Sequence, residues 1–158
     1  APSIVDFRTG RNSSVEMLRC ARHSAADQLI ADGVRGDRPD IHALASKDDR
    51  SVAVMHWNYY DDDIPAAPAE VQLALKNIPS KKVRIHHYRI DGQHSNSYEA
   101  WKKMGSKQEI SDQQYQELEQ AGQLQLLSSP VWEDVKDETT TLNFTLPRQG
   151  VSLVKLEW

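Results

Sequence analysis

KVRIHHYRIDGQHSNSYEAWKKMGSKQEISDQQYQELEQAGQLQLL, residues 82–127, decides how the chain is read: a strand stops there, two short helices follow, and a strand resumes. Val83 to Ile90 mixes β-branched and aromatic residues with long polar ones, as a strand does whose side chains alternate between faces. Asp91-Gly92 ends it with a turn dipeptide. Asn96 and Glu99 have the spacing of a capping box, which predicts a short helix with Tyr98, Trp101 and Met104 on one face and Gly105 as its left-handed stop. Ser111 and Gln114 repeat the box, with Ile110 and Tyr115 placed as a hydrophobic staple. The second helix is expected to carry Tyr115, Leu118 and Ala121 inward and to stop at Gly122. Leu124, Leu126 and Leu127 return the chain to strand.

Outward from this stretch the pattern is of strands. Val52 to Tyr60 reads as a strand with Val52 and Val54 on one face and Ala53, Met55, Trp57 and Tyr59 on the other. Both faces are apolar enough for a central position. Val71, Leu73 and Leu75 alternate with polar neighbours, as do Leu142, Phe144 and Leu146, while Val131 to Val135 and Val151 to Trp158 supply further strands. Pro147 to Gly150 turn the chain between two of them. Seven short strands joined by turns predict a mainly β fold, an antiparallel two-sheet β-sandwich with a two-helix insertion.

The N-terminal part is less regular. Residues 1–26 form a poorly defined segment, in which Val15, Leu18, Ala21, Ala25 and Leu29 follow a loose helical spacing. Asp32 to Pro39 is turn-rich, and Ile41, Leu44 and Ala45 make a short apolar segment before the polar break at Lys47 to Arg50. Asn12 and Asn143 each open a short glycosylation-type triplet.

At 158 residues the chain accommodates one respectable core and no complete (β/α)8 barrel, which takes about 250 residues. A net charge of -4 gives no general attraction to nucleic acid or to an anionic membrane surface. No apolar run approaches the roughly 20 residues of a helical membrane span. The single cysteine, Cys20, cannot form an internal disulfide.

Three stretches resemble a known family. Residues 88–127, VAVMHWNYYDDDIP (52–65) and LNFTLPRQGVSLVKLEW (142–158) are similar to the C-terminal region of glycoside hydrolase family 39, specifically its bacterial β-xylosidases. α-L-Iduronidases are more distant members. The resemblance covers residues 27–158, and HSNSY (94–98), WKKMGS (101–106), the segment from Tyr115 to AGQL, and PRQGVSL (147–153) carry it. It implies a β-sandwich accessory domain with a helical insertion over 95–122 that would partner a catalytic (β/α)8 barrel. That barrel would carry two catalytic glutamates, and no glutamate here stands in either of their sequence contexts, so no catalytic residue is carried over. No cofactor and no metal is implied. Xylo-oligosaccharide would be reached only through the parent enzyme, with Asp61, Asp62 and Asp63, His94, Tyr98 and Trp101 near the rim of its pocket. Residues 1–26 depart from the family pattern.

The candidate residues also have plainer readings. Asp61 to Asp63 lack the alternating ligands and central glycine of a calcium loop, and read more simply as a solvated turn. His86 and His87 are neighbours on a strand and point to opposite faces, which disfavours a shared metal. Trp57, Tyr59, Tyr60, Tyr88, Tyr98 and Trp101 are the residue types that line sugar sites, but are expected to fill the core and the seam against the helices. Alternatives to the accessory domain are an independent carbohydrate-binding module, an oligomerisation module, and an enzyme using an acid pair that the sequence does not identify.

Overall fold

The computed structural model describes residues 41–60 and 64–158, together with two N-terminal strand segments whose backbone alone is described, β1 (Ser3–Asp6) and β2 (Ala25–Asp27). The other strands are β3 (Ile41–Lys47), β4 (Ser51–Asn58), β5 (Ala69–Lys76), β6 (Lys82–Ile90), β7 (Gln125–Leu126), β8 (Val131–Asp134), β9 (Thr139–Leu146) and β10 (Gly150–Glu157). Two helices, α1 (Ser97–Lys103) and α2 (Asp112–Ala121), lie between β6 and β7.

The strands form two sheets. The larger runs β2-β3-β4-β10-β6-β7, with β8 pairing the same strand β6, and each of its pairings is antiparallel. The smaller runs β1-β5-β9, antiparallel between β5 and β9 but parallel between β1 and β5. Alternation fixes which side chains meet between the sheets. Ala43, Ala45, Val52, Val54, Val83, Ile85, Val154 and Leu156 of the large sheet pack with Leu73 and Leu75 of the small one, and Leu142 and Phe144 close against them. The mainly β, two-sheet sandwich expected from sequence is present.

Several expectations are corrected. The described residues contain ten strands, not seven. Ile41 to Lys47, read only as an apolar segment, is a strand because it lies between β4 and β2 and gains a ladder on each edge. Ala25, placed in a helical pattern, lies in strand β2; the rest of that pattern, with Cys20 and Asn12, falls outside the described residues. The aromatics named above do not fill the core, whose buried residues are aliphatic, with Phe144 and Trp158 packed against it. Trp57 and Tyr88 alternate with inward residues and so project from the outer face of the large sheet, and Tyr59, beyond the end of β4, is 60% exposed.

The inner face changes character along its length. Towards one end it is Val52, Val54, Val154, Leu156 and Ile85; towards the other the same alternation brings in His56, Asn58, Ser152, His87 and Arg89. His56, Asn58, Ser152 and Arg89 are buried. Bonds to the small sheet hold this end shut: Asn58 Nδ2 donates to the Leu146 carbonyl (3.2 Å) and Arg89 Nη2 to the Thr145 carbonyl (2.7 Å). Phe144 meets both histidine rings edge-on, at 5.5 Å from His56 and 4.8 Å from His87. In the turn from β9 to β10, a Cβ on Gly150 would stand 2.8 Å from the Pro147 carbonyl, so only glycine fits.

Two adjacent non-glycine residues take positive φ in one hairpin. Lys136 and Thr139 exchange both backbone hydrogen bonds around Asp137 (φ 49°) and Glu138 (φ 56°), the positive pair of a type I′ turn. Glu138 is poorly suited to this region, where glycine carries no Cβ penalty. Glu138→Gly is expected to raise stability by about 0.5–1 kcal/mol, read as a higher urea midpoint at unchanged m. A lower midpoint would mean that the side chain contributes more than its backbone strain costs.

Candidate functional site

The segment after β6 is built by one carboxylate. Asp91 Oδ1 accepts from the backbone N–H of Gln93 (2.8 Å) and of His94 (2.9 Å) and from His94 Nδ1 (2.9 Å). Its Oδ2 lies 3.6 Å from Arg89 Nη1. Burial alone would raise the carboxyl, but the hydrogen bonds from Gln93 and His94 and the charge of His94 bring it below the usual aspartate value. Burial lowers the Arg89 guanidinium from its ordinary value, and Asp91 opposes that shift. Asp91 is therefore an ionised anchor with both oxygens engaged. It shapes the loop and is not free to attack a substrate.

Asp91 Oδ1 accepts from Nδ1, so in its neutral form the His94 imidazole carries its proton there and presents the lone pair of Nε2. The side chain is 29% exposed. It can accept a hydrogen bond from a hydroxyl without changing its own protonation. Next to it Ser95 adopts φ 52°, and its Oγ donates to the Arg89 carbonyl (2.7 Å) and accepts from Gln125 N–H (2.8 Å). One hydroxyl thus joins the way out of β6 to the way back into β7. Asn96 Nδ2 donates to the Asp91 carbonyl (3.0 Å), and Asn96 Oδ1 accepts from Glu99 N–H (3.0 Å) as the N-cap of α1.

The two caps form differently. Ser111 and Gln114 complete a reciprocal box on α2. In α1 the Glu99 carboxylate engages Lys102 Nζ. Gly105, at φ 90°, ends α1 in the left-handed conformation expected of it. Tyr98 and Trp101 stand 5.8 Å apart, tilted by 32°, with Lys102 Nζ 5.0 Å from the Tyr98 ring. Trp101 Nε1 donates to the Lys107 carbonyl (2.8 Å), so its indole ties down the link between the helices while the Tyr98 ring, 60% exposed, stays open. Tyr115, expected inward with Leu118 and Ala121, is instead 61% exposed. Neither helix contains a buried residue: a short helix pair leaning on itself covers too little surface to enclose a third large side chain.

His94, Tyr98 and Trp101 are thus brought into one segment, Asp91 to Gly105, whereas Asp61, Asp62 and Asp63 lie outside the described residues. His86 and His87 do take opposite faces: His86 Nε2 is 3.3 Å from Glu157, and His87 Nε2 is 3.0 Å from Ser152 Oγ. Among the described residues no group of three or more His, Cys, Asp or Glu is arranged to hold a metal ion, and no helix is long and apolar enough to cross a membrane. Sequence reading missed the roles of Asp91 and Ser95. The signal for Asp91 was its place two residues before Gln93, the spacing of an Asx-turn.

No protein-family model matches the sequence, and no curated protein does. Solved structures do. A glycoside hydrolase family 39 enzyme from Xanthomonas axonopodis pv. citri is similar with a TM-score of 0.65 at 18% identity, over 73% of this chain and 26% of that one. A monomeric β-xylosidase from Caulobacter crescentus CB15 gives 0.64 at 19% identity, over 73% and 26%. A bacterial orthologue of human α-L-iduronidase gives 0.65 at 16% identity, over 75% and 22%. The chain spans about a quarter of the length of these glycoside hydrolases and shares the fold of that part.

Proposed function

We propose that this chain is the non-catalytic β-sandwich domain of a family 39, β-xylosidase-like glycoside hydrolase that acts in xylo-oligosaccharide breakdown. The observation that carries the reading is the pairing of a fold shared over 73% of the chain with coverage of only 26% of the enzyme sharing it. The motif resemblance over residues 27–158 points the same way. The expected partner is a catalytic (β/α)8 barrel, and exposed Leu126, Val131 and Trp132, along one edge of β6, offer apolar surface for another domain to cover.

In this reading residues 27–158 are the domain, and the segment over 95–122 is its insertion. The chain contributes shape and hydrogen bonding to the parent's pocket: His94 Nε2 accepts from a sugar hydroxyl, Tyr98 offers an aromatic face, Trp101 fixes the segment, and Asp61 and Asp62 approach the same rim. Bond cleavage belongs to the barrel, since a retaining glycosidase needs two carboxyl groups about 5–5.5 Å apart and Asp91, the carboxylate of this loop, is fully engaged.

The test uses the intact parent. His94→Ala is expected to lower kcat/KM for a xylo-oligosaccharide about 3- to 10-fold, the value of one hydrogen bond. Unchanged turnover and unchanged affinity would remove His94 from the pocket.

A further inference from the structure

The polar end of the inner face has bonding capacity that the protein does not use. His56 is fully buried, yet neither ring nitrogen has a hydrogen-bond partner in the protein; the same holds for Asn58 Oδ1 and Arg89 Nε. Strand register places them together. His56, Ser152 and Arg89 are direct neighbours across β4, β10 and β6, and Asn58 is two residues from His56 on the same face. Adjacent strands are about 4.8 Å apart, so the His56 and Arg89 backbones are separated by about 10 Å with the shortest side chain of the row, Ser152, between them. Phe144 covers both histidine rings from the opposite sheet.

The chemistry of these unused atoms selects what fits. Arg89 Nε is a donor, Asn58 Oδ1 is an acceptor, and a neutral His56 supplies one of each. A bare cation would face the Arg89 N–H, and an anion would face the Asn58 carbonyl oxygen. Water, which donates twice and accepts twice, satisfies both kinds, and leaving such groups buried without partners is costly.

We propose that His56, Asn58 and Arg89, with Ser152 and the His87 ring that meets its Oγ at 3.0 Å, enclose an internal water-binding site over Ser152, closed by Phe144. Water there completes the hydrogen bonding of Arg89, whose other nitrogens hold the Thr145 carbonyl and approach Asp91. The site thereby joins the interior of the sandwich to the Asp91–His94 loop. This inference does not depend on the glycosidase reading.

The test is water–protein NOE spectroscopy on the labelled 158-residue chain at pH 7. Cross-peaks of the sign given by long-lived water are expected from water to the carbon-bound ring protons of Phe144 and His56. Their absence would show a dry cluster and overturn the proposal. Ser152→Ala removes a hydroxyl that could relay the signal by exchange but leaves the space, and the cross-peaks are expected to persist. Ser152→Val fills the space, and they are expected to be lost. Loss in Ser152→Ala, or persistence in a folded Ser152→Val, would contradict the site; if Ser152→Val does not fold, the unmodified chain and Ser152→Ala decide.

Discussion

Lowering the pH from 7 to 4 is expected to remove about 3 kcal/mol of folding free energy through His56 alone, with His87 adding to it. Both rings are held neutral in the fold, with pKa values lowered from 6.5 to about 4. For His56 the cause is burial first and the nearby His87 second; for His87 it is burial first and Arg89 second. The unfolded chain takes up both protons as the pH drops through about 6.5, while the native state does not until about 4. Their contribution is therefore complete above 6.5 and is lost as the pH falls towards 4. Asp91 acts at still lower pH, because its lowered pKa stabilises the fold above the unfolded aspartate value and that gain disappears on protonation. With an m-value of about 2 kcal/mol/M, His56 alone is expected to lower the urea midpoint by about 1.5 M between pH 7 and pH 4, and His87 to lower it further. His56→Phe is expected to flatten much of that slope. A midpoint constant over this range would show that neither ring is held neutral by burial.

Arg89→Ala is expected to cost about 3–5 kcal/mol, a large part of the roughly 5–15 kcal/mol that holds a domain together. Arg89 is 3% exposed and sits at a junction, with one nitrogen on the Thr145 carbonyl of the small sheet and another beside Asp91. Removing it opens the clasp between β6 and β9 and takes the guanidinium away from the partly buried Asp91. Arg89→Met, which keeps the volume, is expected to cost less, and the difference measures lost packing. The check is chemical denaturation at pH 7. A change below about 0.5 kcal/mol, the scale of ordinary surface substitutions, would show that the contacts of Arg89 are replaced by solvent at no cost.

Local chemistry was the most legible part of the sequence. Asn96, Gly105 and Ser111 act within one turn of their own positions, so their caps and stops could be read without the rest of the molecule. Strand alternation was equally readable, but the sequence does not say which face of a strand becomes the core. In β6 the apolar content of Tyr88 and Ile90 argues for one face, yet Arg89 and His87 turn inward because β9 supplies carbonyl oxygens and Phe144 to meet them. His56 and Asn58 were in phase with Val52 and Val54 all along, and their polarity concealed their burial. Ile41 to Lys47 has modest strand preference and becomes β3 through its two neighbours. Tyr115 shows the converse, an apolar helix position that no second layer covers. As for the site, His94, Tyr98 and Trp101 came from the family resemblance, whereas the carboxylate that organises them emerged only from the hydrogen bonds converging on Asp91.

The most direct test of the accessory-domain account is hydrolysis of an aryl β-xyloside by the purified chain, beside an intact family 39 β-xylosidase at equal concentration. The account predicts release at the buffer rate from the chain and rapid release from the intact enzyme. Turnover by the chain that survives repurification would contradict it, and would require an acid pair formed within the sandwich or between copies of it.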